Sequence, residues 1–511
     1  MRNRIEVVFS ALVFVLACTA GTAAAQDARS LLQAADRAMG ASAVRSVQYS
    51  GTGMMAAVGQ SFASDGDWPR FQLQSYTNTI DYGSKSSKEE YVRVQGNYAP
   101  RGGGGTPLQG EARSAEFVSG DYAWRMQGND AQPRPDDAAE RQFMIWVSPH
   151  GFVKAGIESG NATMAERHMA AEGRTLQVVG FTTMGKYRVT GEFNEQNLLE
   201  RVVTWIPNPV MGDMQMEIRY SDYRDVGSGA KFPFRIHAHR GDHPLLPVST
   251  GRNWMDLRIS SASVNVADAA PTVPANVRNA AAPQMRVTAE RLANGVYLMG
   301  GGSHNSVAVE FRDFIAVVEG PLDDARSNAV IAEIKKTIPN KPIRYLINTH
   351  HHFDHLGGVR TYVAEGATVV THDRNRELYE RVIFAPQVRT LEPDRLALFP
   401  FATTGPGPRP LETFTEQHTI SDGQRVLMSY LVQDLDHNET MLIVYLPQER
   451  ILVNADLWSP RPQLPSSANQ SAIALYKSIQ RLKLDVDRIA GIHGGVGSVA
   501  DFERIVGPAA R

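Results

Sequence analysis

Short runs of alternating hydrophobic and polar residues dominate the first half of the chain, over residues 46–263. Runs such as Leu199–Trp205 and Met214–Tyr220 place a hydrophobic residue at about every second position and are bounded by Gly, Asn or Asp. A period of two is typical of strands that bury one face, and these turn residues separate neighbouring strands. Residues 26–263 are therefore predicted to form a mainly antiparallel β domain that opens with a short helix over Ala28–Met39.

Two of these strands are predicted to form a hairpin across the Gly-containing turn Val226–Gly229. The strands themselves, Tyr220–Arg224 and Lys231–His239, are similar in pattern to those of curved-sheet domains of the lipoprotein-carrier type. That resemblance implies an apolar or envelope partner for the N-terminal domain.

A different pattern begins beyond a segment rich in Ala, Pro, Asn and Val. Residues 264–283 show little periodicity, so they are predicted to be an interdomain linker with few contacts crossing it. Beyond them, runs such as Ser306–Phe311 and Ile343–Asn348 alternate with a helical pattern over Ala325–Lys336. Strands that alternate with helices indicate an α/β domain, predicted over residues 284–511.

Charge and hydropathy narrow the range of partners. The 511 residues carry a formal net charge of -2 and no long basic run, so the chain lacks the positive surface that a nucleic-acid backbone requires. A small-molecule substrate is expected, and no nucleic acid. Beyond the first residues no segment is long and apolar enough for a membrane span of about 20 residues, so no transmembrane helix is predicted in the mature chain.

The start of the chain has the features of an export signal. Two arginines precede an apolar run over Val7–Ala17, and Ala23–Ala25 offers a small-residue cleavage site. Residues 1–25 are therefore predicted to be removed, which gives an exported protein, periplasmic or secreted. The one cysteine, Cys18, lies inside this segment, so the mature chain would form no disulfide. The alternative is a lipoprotein anchored through a lipidated Cys18.

Four side chains that can bind metals are concentrated in six positions directly after a predicted strand. They are His350, His352, Asp354 and His355. Imidazole nitrogens and carboxylate oxygens suit zinc, with iron or manganese as alternatives. Burying four such groups without a cation would leave them desolvated at a high cost in free energy. Because the loop can aim the first pair at one point and the second pair at another, two adjacent divalent metal ions are predicted.

The stretch Thr349–Gly358 reads Thr-His-x-His-x-Asp-His-x-Gly-Gly and resembles the signature of the metallo-β-lactamase superfamily. The resemblance covers about residues 284–511 and implies an αββα sandwich. It also implies further ligands from later loops, for which His437, Asp456 and His493 stand in the expected order. One metal would be held by His350, His352 and His437, the other by Asp354, His355 and His493, and Asp456 would bridge them. A one-metal or degenerate site is the alternative.

Such a centre implies a hydrolase that needs no Ser or Cys nucleophile. A water bridging two divalent cations loses a proton near neutral pH, and the resulting hydroxide can attack an acyl carbon. Asp354 and Asp456 are the expected catalytic residues. A carboxylate at position 456 resembles the glyoxalase II and lactonase branches, which favours an ester, thioester or lactone as substrate. The enzymatic alternatives on the same ligands are a β-lactamase, a sulfatase or phosphodiesterase, and a di-iron redox protein.

Two further histidines and a non-enzymatic alternative complete the prediction. His304 lies in a Gly-rich loop and could line the mouth of the site, although a loop histidine without a role is the favoured interpretation. His351 is interpreted as a spacer within the motif. The non-enzymatic alternative is an envelope binding module that carries a vestigial metal site.

Overall fold

The computed structural model describes residues 26–165, 168–169, 175–242, 252–281, 284–384, 388–400, 410–463, 465 and 467–507. The predicted signal segment with Cys18, and Pro283 at the end of the predicted linker, lie outside the described residues. Across the part of the chain that is described, no helix has the length and apolar character needed to cross a bilayer.

In its described residues the N-terminal half is a large antiparallel sheet with three helices, which confirms the predicted mainly antiparallel β domain. The helices are α1 (residues 26–39), α2 (Ala138–Val147) and α3 (Pro149–Glu158), with 3-10 turns at Ala41–Ala43 and Pro135–Asp137. The strands are β1 (Ser46–Ala56), β2 (Arg70–Asp81), β3 (Ser86–Val94), β4 (Ala112–Ser119), β5 (Tyr122–Gln127), β6 (Asp130–Pro133), β7 (Thr163–Met164), β8 (His168–Met169), β9 (Thr175–Thr183), β10 (Tyr187–Phe193), β11 (Leu199–Asn208), β12 (Gly212–Asp225), β13 (Lys231–Asp242) and β14 (Arg252–Val264).

Two meanders meet in the middle of this sheet. One runs outward from β1 to β6, the other runs from β14 back to β9, and β1 pairs with β14 in antiparallel register. The predicted hairpin is confirmed, because β12 and β13 pair from Asp225↔Lys231 onward. Inward-facing strand residues pack against the helices, and Phe143 of α2 and Phe152 of α3 are fully buried between them.

The segment predicted as a linker lies against the N-terminal sheet. It contains the short helix α4 (Ala275–Arg278), and Val277 is buried against Trp124 and Ala131. Asn276 donates a hydrogen bond from Nδ2 to the carbonyl oxygen of Ala131 at 2.6 Å. Around α4, this segment therefore packs on β5 and β6.

Two further sheets with helices follow, as the predicted αββα sandwich requires. Seven strands form the first sheet: β15 (Thr288–Ala293), β16 (Val296–Gly300), β17 (Ser306–Glu310), β18 (Ile315–Val318), β19 (Ile343–Ile347), β20 (Thr368–His372) and β21 (Leu411–Phe414). Six form the second: β22 (Gln417–Ser421), β23 (Val426–Leu431), β24 (Leu442–Leu446), β25 (Ile451–Asn454), β26 (Arg488–Gly491) and β27 (Val496–Ser498). The helices are α5 (Asp324–Thr337), α6 (Phe353–Leu356), α7 (Val359–Glu365), α8 (Arg376–Leu378), α9 (Arg395–Leu398), α10 (Gln470–Leu482) and α11 (Val499–Val506), with a 3-10 turn at Asp373–Asn375 and a π turn at Tyr379–Ile383.

Each strand of the first sheet contributes to two cores, because successive side chains of a strand point to opposite faces. Val307 and Val309 of β17 join the core shared with the second sheet, whereas Ala308 joins the core under α5 and α7. Strands buried on both faces read as continuous apolar runs, which explains Ile315–Val318.

The prediction that few contacts cross between the two halves is wrong. The carboxylate of Asp213, in the N-terminal half, accepts hydrogen bonds from the backbone N–H groups of Thr390 and Leu391 and from the Thr390 hydroxyl, at 2.6–3.1 Å. The guanidinium of Arg389 donates to the carbonyl oxygens of Pro209 and Val210 at 2.9 and 2.7 Å. The composition of residues 264–283 describes only the connection between the halves. It carries no information about contacts between loops elsewhere in the two halves.

Candidate metal centre

The motif loop begins where β19 ends and turns directly into α6. Two glycines close it because neighbouring backbone and side chains approach too closely for any other residue. A Cβ on Gly357 would lie 1.7 Å from the carbonyl oxygen of Leu322, and one on Gly358 would lie 2.0 Å from the hydroxyl of Ser327. The Gly-Gly pair therefore lets the loop fold tightly against the start of α5.

The described residues contain three groups of potential ligand atoms, of which two form the centre and the third, Glu319 with His350 and His355, lies behind them. The first of the two groups at the centre is almost fully enclosed. It consists of His350, His352, His437 and Asp456, whose potential ligand atoms all lie within 4.8 Å of one another. His350 Nε2 lies 3.0 Å from His352 Nδ1, and His437 Nε2 lies 2.8 Å from Asp456 Oδ2. All four were predicted from the sequence, and the loops after β19 and β25 and before β24 bring them together.

The second group lies beside the first and is more open. It consists of His304, Asp354, His355 and His493, again within 4.8 Å of one another. His304, interpreted from the sequence as a loop histidine without a role, lies within this group. Its Nε2 lies 3.3 Å from Asp354 Oδ2, and its ring centroid is 4.1 Å from that of His493. The Gly-rich run Gly300–Ser303, from which His304 was expected to be able to line the mouth of the site, lets the loop before β17 approach closely.

Asp456 lies between the two groups and contacts both. Its Oδ2 faces His437, whereas its Oδ1 lies 3.1 Å from His355 Nε2 and 3.0 Å from His493 Nε2. A carboxylate with one oxygen on each side is placed as a bridging ligand of two adjacent cations would be.

The polar atoms of the site fit metal ions better than they fit one another. Within the described residues, His355 Nε2, His437 Nε2 and Asp456 Oδ1 are buried and make no hydrogen bond of acceptable geometry, although they lie in contact with their neighbours. Leaving buried polar atoms unsatisfied is costly, and native proteins rarely do so. Nitrogen and carboxylate oxygen atoms in these numbers are the usual ligands of zinc.

Glu319 was missed by the sequence analysis and lies behind the two groups. It is fully buried, its Oε2 lies 3.2 Å from His355 Nδ1, and it accepts a 2.5 Å hydrogen bond from the Thr349 hydroxyl. That hydroxyl in turn lies 3.0 Å from Nδ1 of His350. The contacts leave Nε2 of both histidines free to face the site, which is how outer carboxylates orient metal-binding imidazoles. The signal was an acidic residue at the end of the wholly apolar strand β18.

Loops of the N-terminal half also reach the motif. Gln60 Nε2 donates a 2.8 Å hydrogen bond to Asp354 Oδ1, and the carbonyl oxygen of Ser61 lies 3.0 Å from Nε2 of His352. His351 belongs to neither group; its Nε2 also lies 3.0 Å from the Ser61 carbonyl oxygen. The residue interpreted as a spacer thus binds the motif loop to the N-terminal half.

The mixed charges of the site shift its pKa values strongly. Burial opposes ionisation of Asp456, but the charge of His355 and the close approach of His350 and His437 overcome it and hold the pKa of Asp456 well below 3.8. Burial alone would lower the pKa of His355, yet the negative charges of Asp456 and Glu319 raise it well above 6.5. Burial, aided by the charge of His355, lowers the pKa of His350 to about 4. The centre therefore combines an ionised carboxylate with closely packed imidazoles.

Comparisons with known proteins address the C-terminal half. Residues 299–493 match the family model of the metallo-beta-lactamase superfamily, whereas no curated protein gives a significant match to the chain. Similar solved structures include a metallo-beta-lactamase from Pontibacter korlensis, with 18% identity, 43% of this chain and 98% of that chain covered, and a TM-score of 0.32.

Two other similar structures carry different names, a lactamase and an oxidoreductase. One is a metallo-beta-lactamase from Hirschia baltica, with 21% identity, coverage of 43% and 96%, and a TM-score of 0.32. The other is rubredoxin oxygen:oxidoreductase from Desulfovibrio gigas, with 16% identity, coverage of 44% and 61%, and a TM-score of 0.33. The family model and the paired sheets agree with the resemblance seen in Thr349–Gly358. The C-terminal half of this chain therefore carries a domain of the metallo-β-lactamase superfamily.

Proposed function

We propose that this chain is a metal-dependent hydrolase whose centre holds two divalent metal ions. The observation that carries the proposal is the position of Asp456, with one carboxylate oxygen directed to each of two histidine-rich groups. Without a metal, the buried imidazole nitrogens and carboxylate oxygens that contact one another but form no hydrogen bonds would remain unsatisfied, which is energetically costly. Zinc is the expected metal, with iron or manganese as alternatives.

The ligands divide according to the two groups. His350, His352 and His437 would hold one ion, and Asp354, His355 and His493 the other, with Asp456 shared. His304 adds a fourth side chain to the second group. When bound, the two ions would supply a hydroxide at neutral pH and polarise a carbonyl group. Asp354 and Asp456 are the proposed catalytic residues because their carboxylates would border that hydroxide.

Exposure indicates the side from which a substrate would approach. The side chains of His350 and His355 are fully buried, whereas those of Asp354 and His493 are 35% and 27% exposed. A small molecule would therefore enter over the second group. The carboxylate at position 456 favours an ester, thioester or lactone, in keeping with the branches that this pattern resembles.

The test combines metal analysis with substrate panels on purified protein. Lactones, thioesters, simple esters, β-lactams, sulfate esters and phosphodiesters are offered to wild type, to His352→Ala and to the control His418→Ala. The control removes a histidine of the same domain that belongs to neither group. We expect wild type and His418→Ala to hold about two metals per chain and to turn over an ester, thioester or lactone. His352→Ala should lose this turnover. Turnover of β-lactams, sulfate esters or phosphodiesters alone would overturn the substrate class, and no metal and no turnover would overturn the enzyme.

Export of the protein is part of the same proposal. Residues 1–25 carry the signal pattern described above, and cleavage after Ala25 would leave Gln26 at the N-terminus. N-terminal sequencing of protein recovered from the periplasm or medium is expected to begin at Gln26. A lipid-modified Cys18 in the membrane fraction would instead establish the lipoprotein alternative.

The partner of the N-terminal half is a separate proposal. Its sheet and α2 enclose a cavity of about 450 Å³ lined by aromatic residues such as Tyr49 and Trp254 and by charged residues such as Arg141 and Glu116. An apolar or envelope molecule is proposed to bind here. Binding of a fluorescent fatty acyl probe, reduced by substitution of Trp254, would support it, and no binding would contradict it.

A further inference from the structure

Loops of the N-terminal half contact the metal centre at two of its proposed ligands. We propose that Gln60 and Ser61 are positioning residues that hold Asp354 and His352 in the orientation needed to bind metal. The inference rests on the proposed two-metal centre, and it gives the N-terminal half a part in metal affinity. Neither residue belongs to the two ligand groups, so each would act through the side chain that it holds.

The amide of Gln60 is fixed at both of its polar atoms. Its Nε2 donates to Asp354 Oδ1 at 2.8 Å, and its Oε1 accepts from the backbone N–H of Gly104 at 2.9 Å. With Oδ1 engaged in this way, the other oxygen of Asp354 faces the second group, 3.3 Å from His304 Nε2 and 3.8 Å from His355 Nε2. Gln60 therefore fixes which oxygen of Asp354 is presented to a metal.

The carbonyl oxygen of Ser61 has an equivalent effect on His352. A carbonyl oxygen can only accept, so the 3.0 Å contact requires that Nε2 of His352 carry the proton. In a neutral imidazole this leaves Nδ1 unprotonated, and Nδ1 is the atom that lies 3.0 Å from His350 Nε2 inside the first group. The backbone of Ser61 thus selects the form of His352 that can bind a metal through Nδ1.

The supporting contacts of His350 and His355 come from the C-terminal half. Glu319 contacts Nδ1 of His355, and Thr349 contacts Nδ1 of His350. Orientation of the centre is therefore divided between the halves, with Asp354 and His352 held from the N-terminal side.

Close packing holds the two N-terminal loops in place. The carbonyl oxygen of Gly59 accepts a 3.1 Å hydrogen bond from the N–H of Phe353, and a Cβ on Gly59 would lie 2.2 Å from the Phe353 ring. A Cβ on Gly103 would lie 2.0 Å from Gln60 Oε1 and 2.7 Å from the His352 ring. The loops are pressed onto the motif at the positions where glycine leaves room.

The first experiment measures zinc affinity of the whole chain by competition with a chromophoric chelator. Gln60→Met keeps the length of the side chain and removes both hydrogen bonds, while Gln74→Met makes the same change at an exposed position of β2. We expect Gln60→Met to weaken one of two zinc sites by about 10–100-fold, as loss of an outer hydrogen bond does elsewhere. Gln74→Met should match wild type. Equal affinities for Gln60→Met and wild type would overturn the inference, whereas a wild type that binds no zinc would overturn the proposed function itself.

A second measurement uses wild-type protein alone, so it does not depend on how a variant folds. Hydrogen–deuterium exchange is followed in peptides that span residues 57–62 and 102–105, with and without zinc. Because these loops hold the ligands, zinc should slow their exchange together with that of residues 350–356. Slowing confined to residues 350–356 would overturn the inference.

Discussion

The N-terminal sheet and the candidate metal centre neutralise their buried carboxylates in different ways. In the N-terminal sheet, Glu217 contacts the guanidinium of Arg201 at 2.6 Å, and Glu116 contacts Arg125 at 2.7 Å. In the C-terminal half, Asp456 is surrounded by imidazoles and Glu319 by Asn348, Thr349 and His355. A carboxylate paired with arginine has its charge neutralised by the protein itself, whereas a carboxylate left among histidines is placed to bind a cation.

The strongest test of this contrast is the removal of the central carboxylate. Asp456→Ala should lower zinc affinity by more than about a hundredfold, because a residue that supports a ligand already contributes 10–100-fold. Glu217→Ala should leave the zinc affinity unchanged while it lowers the free energy of unfolding. Chelator competition and urea denaturation of both variants measure the two effects, and equal zinc affinity in Asp456→Ala and wild type would remove the basis for the contrast.

The contact between the halves gives the next largest effect. Asp213→Ala would remove a buried carboxylate that accepts three hydrogen bonds from Thr390 and Leu391, so we expect the free energy of unfolding to fall by about 4 kcal/mol. The control Asp130→Ala changes an exposed strand residue and should stay within about 0.5 kcal/mol of wild type. Urea denaturation followed by circular dichroism measures both, and a neutral Asp213→Ala would mean that the halves are energetically independent.

A pH test concerns the N-terminal half by itself. Burial lowers the pKa of His150 in α3 to about 4, from 6.5 in an unfolded chain. Between pH 6.5 and 4 the unfolded chain binds a proton that the folded protein does not, so stability falls as the pH falls, by about 3 kcal/mol at pH 4. The difference between wild type and His150→Gln isolates this contribution from that of the other histidines. A difference that stays constant with pH would show that His150 titrates normally in the folded protein.

The smallest effect is expected at the Gly-Gly pair of the motif. A Cβ on Gly357 meets the backbone carbonyl of Leu322, which cannot rotate away, so Gly357→Ala should destabilise the protein by about 2 kcal/mol. Gly495→Ala, in the loop after His493, has open space around its Cβ and should be neutral within about 0.5 kcal/mol. Thermal unfolding of the two variants compares them directly. Equal midpoints would mean that the loop tolerates a side chain at Gly357.

The strands and the motif could be predicted from the sequence because the residues that define each of them lie close together in the chain. The motif Thr349–Gly358 located four residues, and the family resemblance implied His437, Asp456 and His493; the structure brings all seven into two groups. Glu319 and Gln60 were not found and His304 was not assigned a role, since each depends on a contact between segments that are 36–294 residues apart. His304 stands 50 residues from Asp354, and a single sequence does not encode such pairings in any local period.

The sequence pattern predicts two halves with few contacts between them, and this is where the structure differs from it most. The Ala- and Pro-rich composition of residues 264–283 correctly indicates a change of architecture, because β14 ends at Val264 and the first C-terminal sheet begins with Thr288. It does not indicate that the loops at Gln60 and Gly103 fold back onto the motif. Docking of this kind depends on shape and on single hydrogen bonds, which composition does not record.

Anomalous diffraction at the zinc edge, from crystals of the zinc-loaded whole chain, is the decisive measurement for the two-metal centre. We expect two peaks separated by about 3.5–4 Å, one among His350, His352 and His437 and one among Asp354, His355 and His493, with Asp456 between them. A single peak, or no peak within these residues, would contradict the two-metal centre.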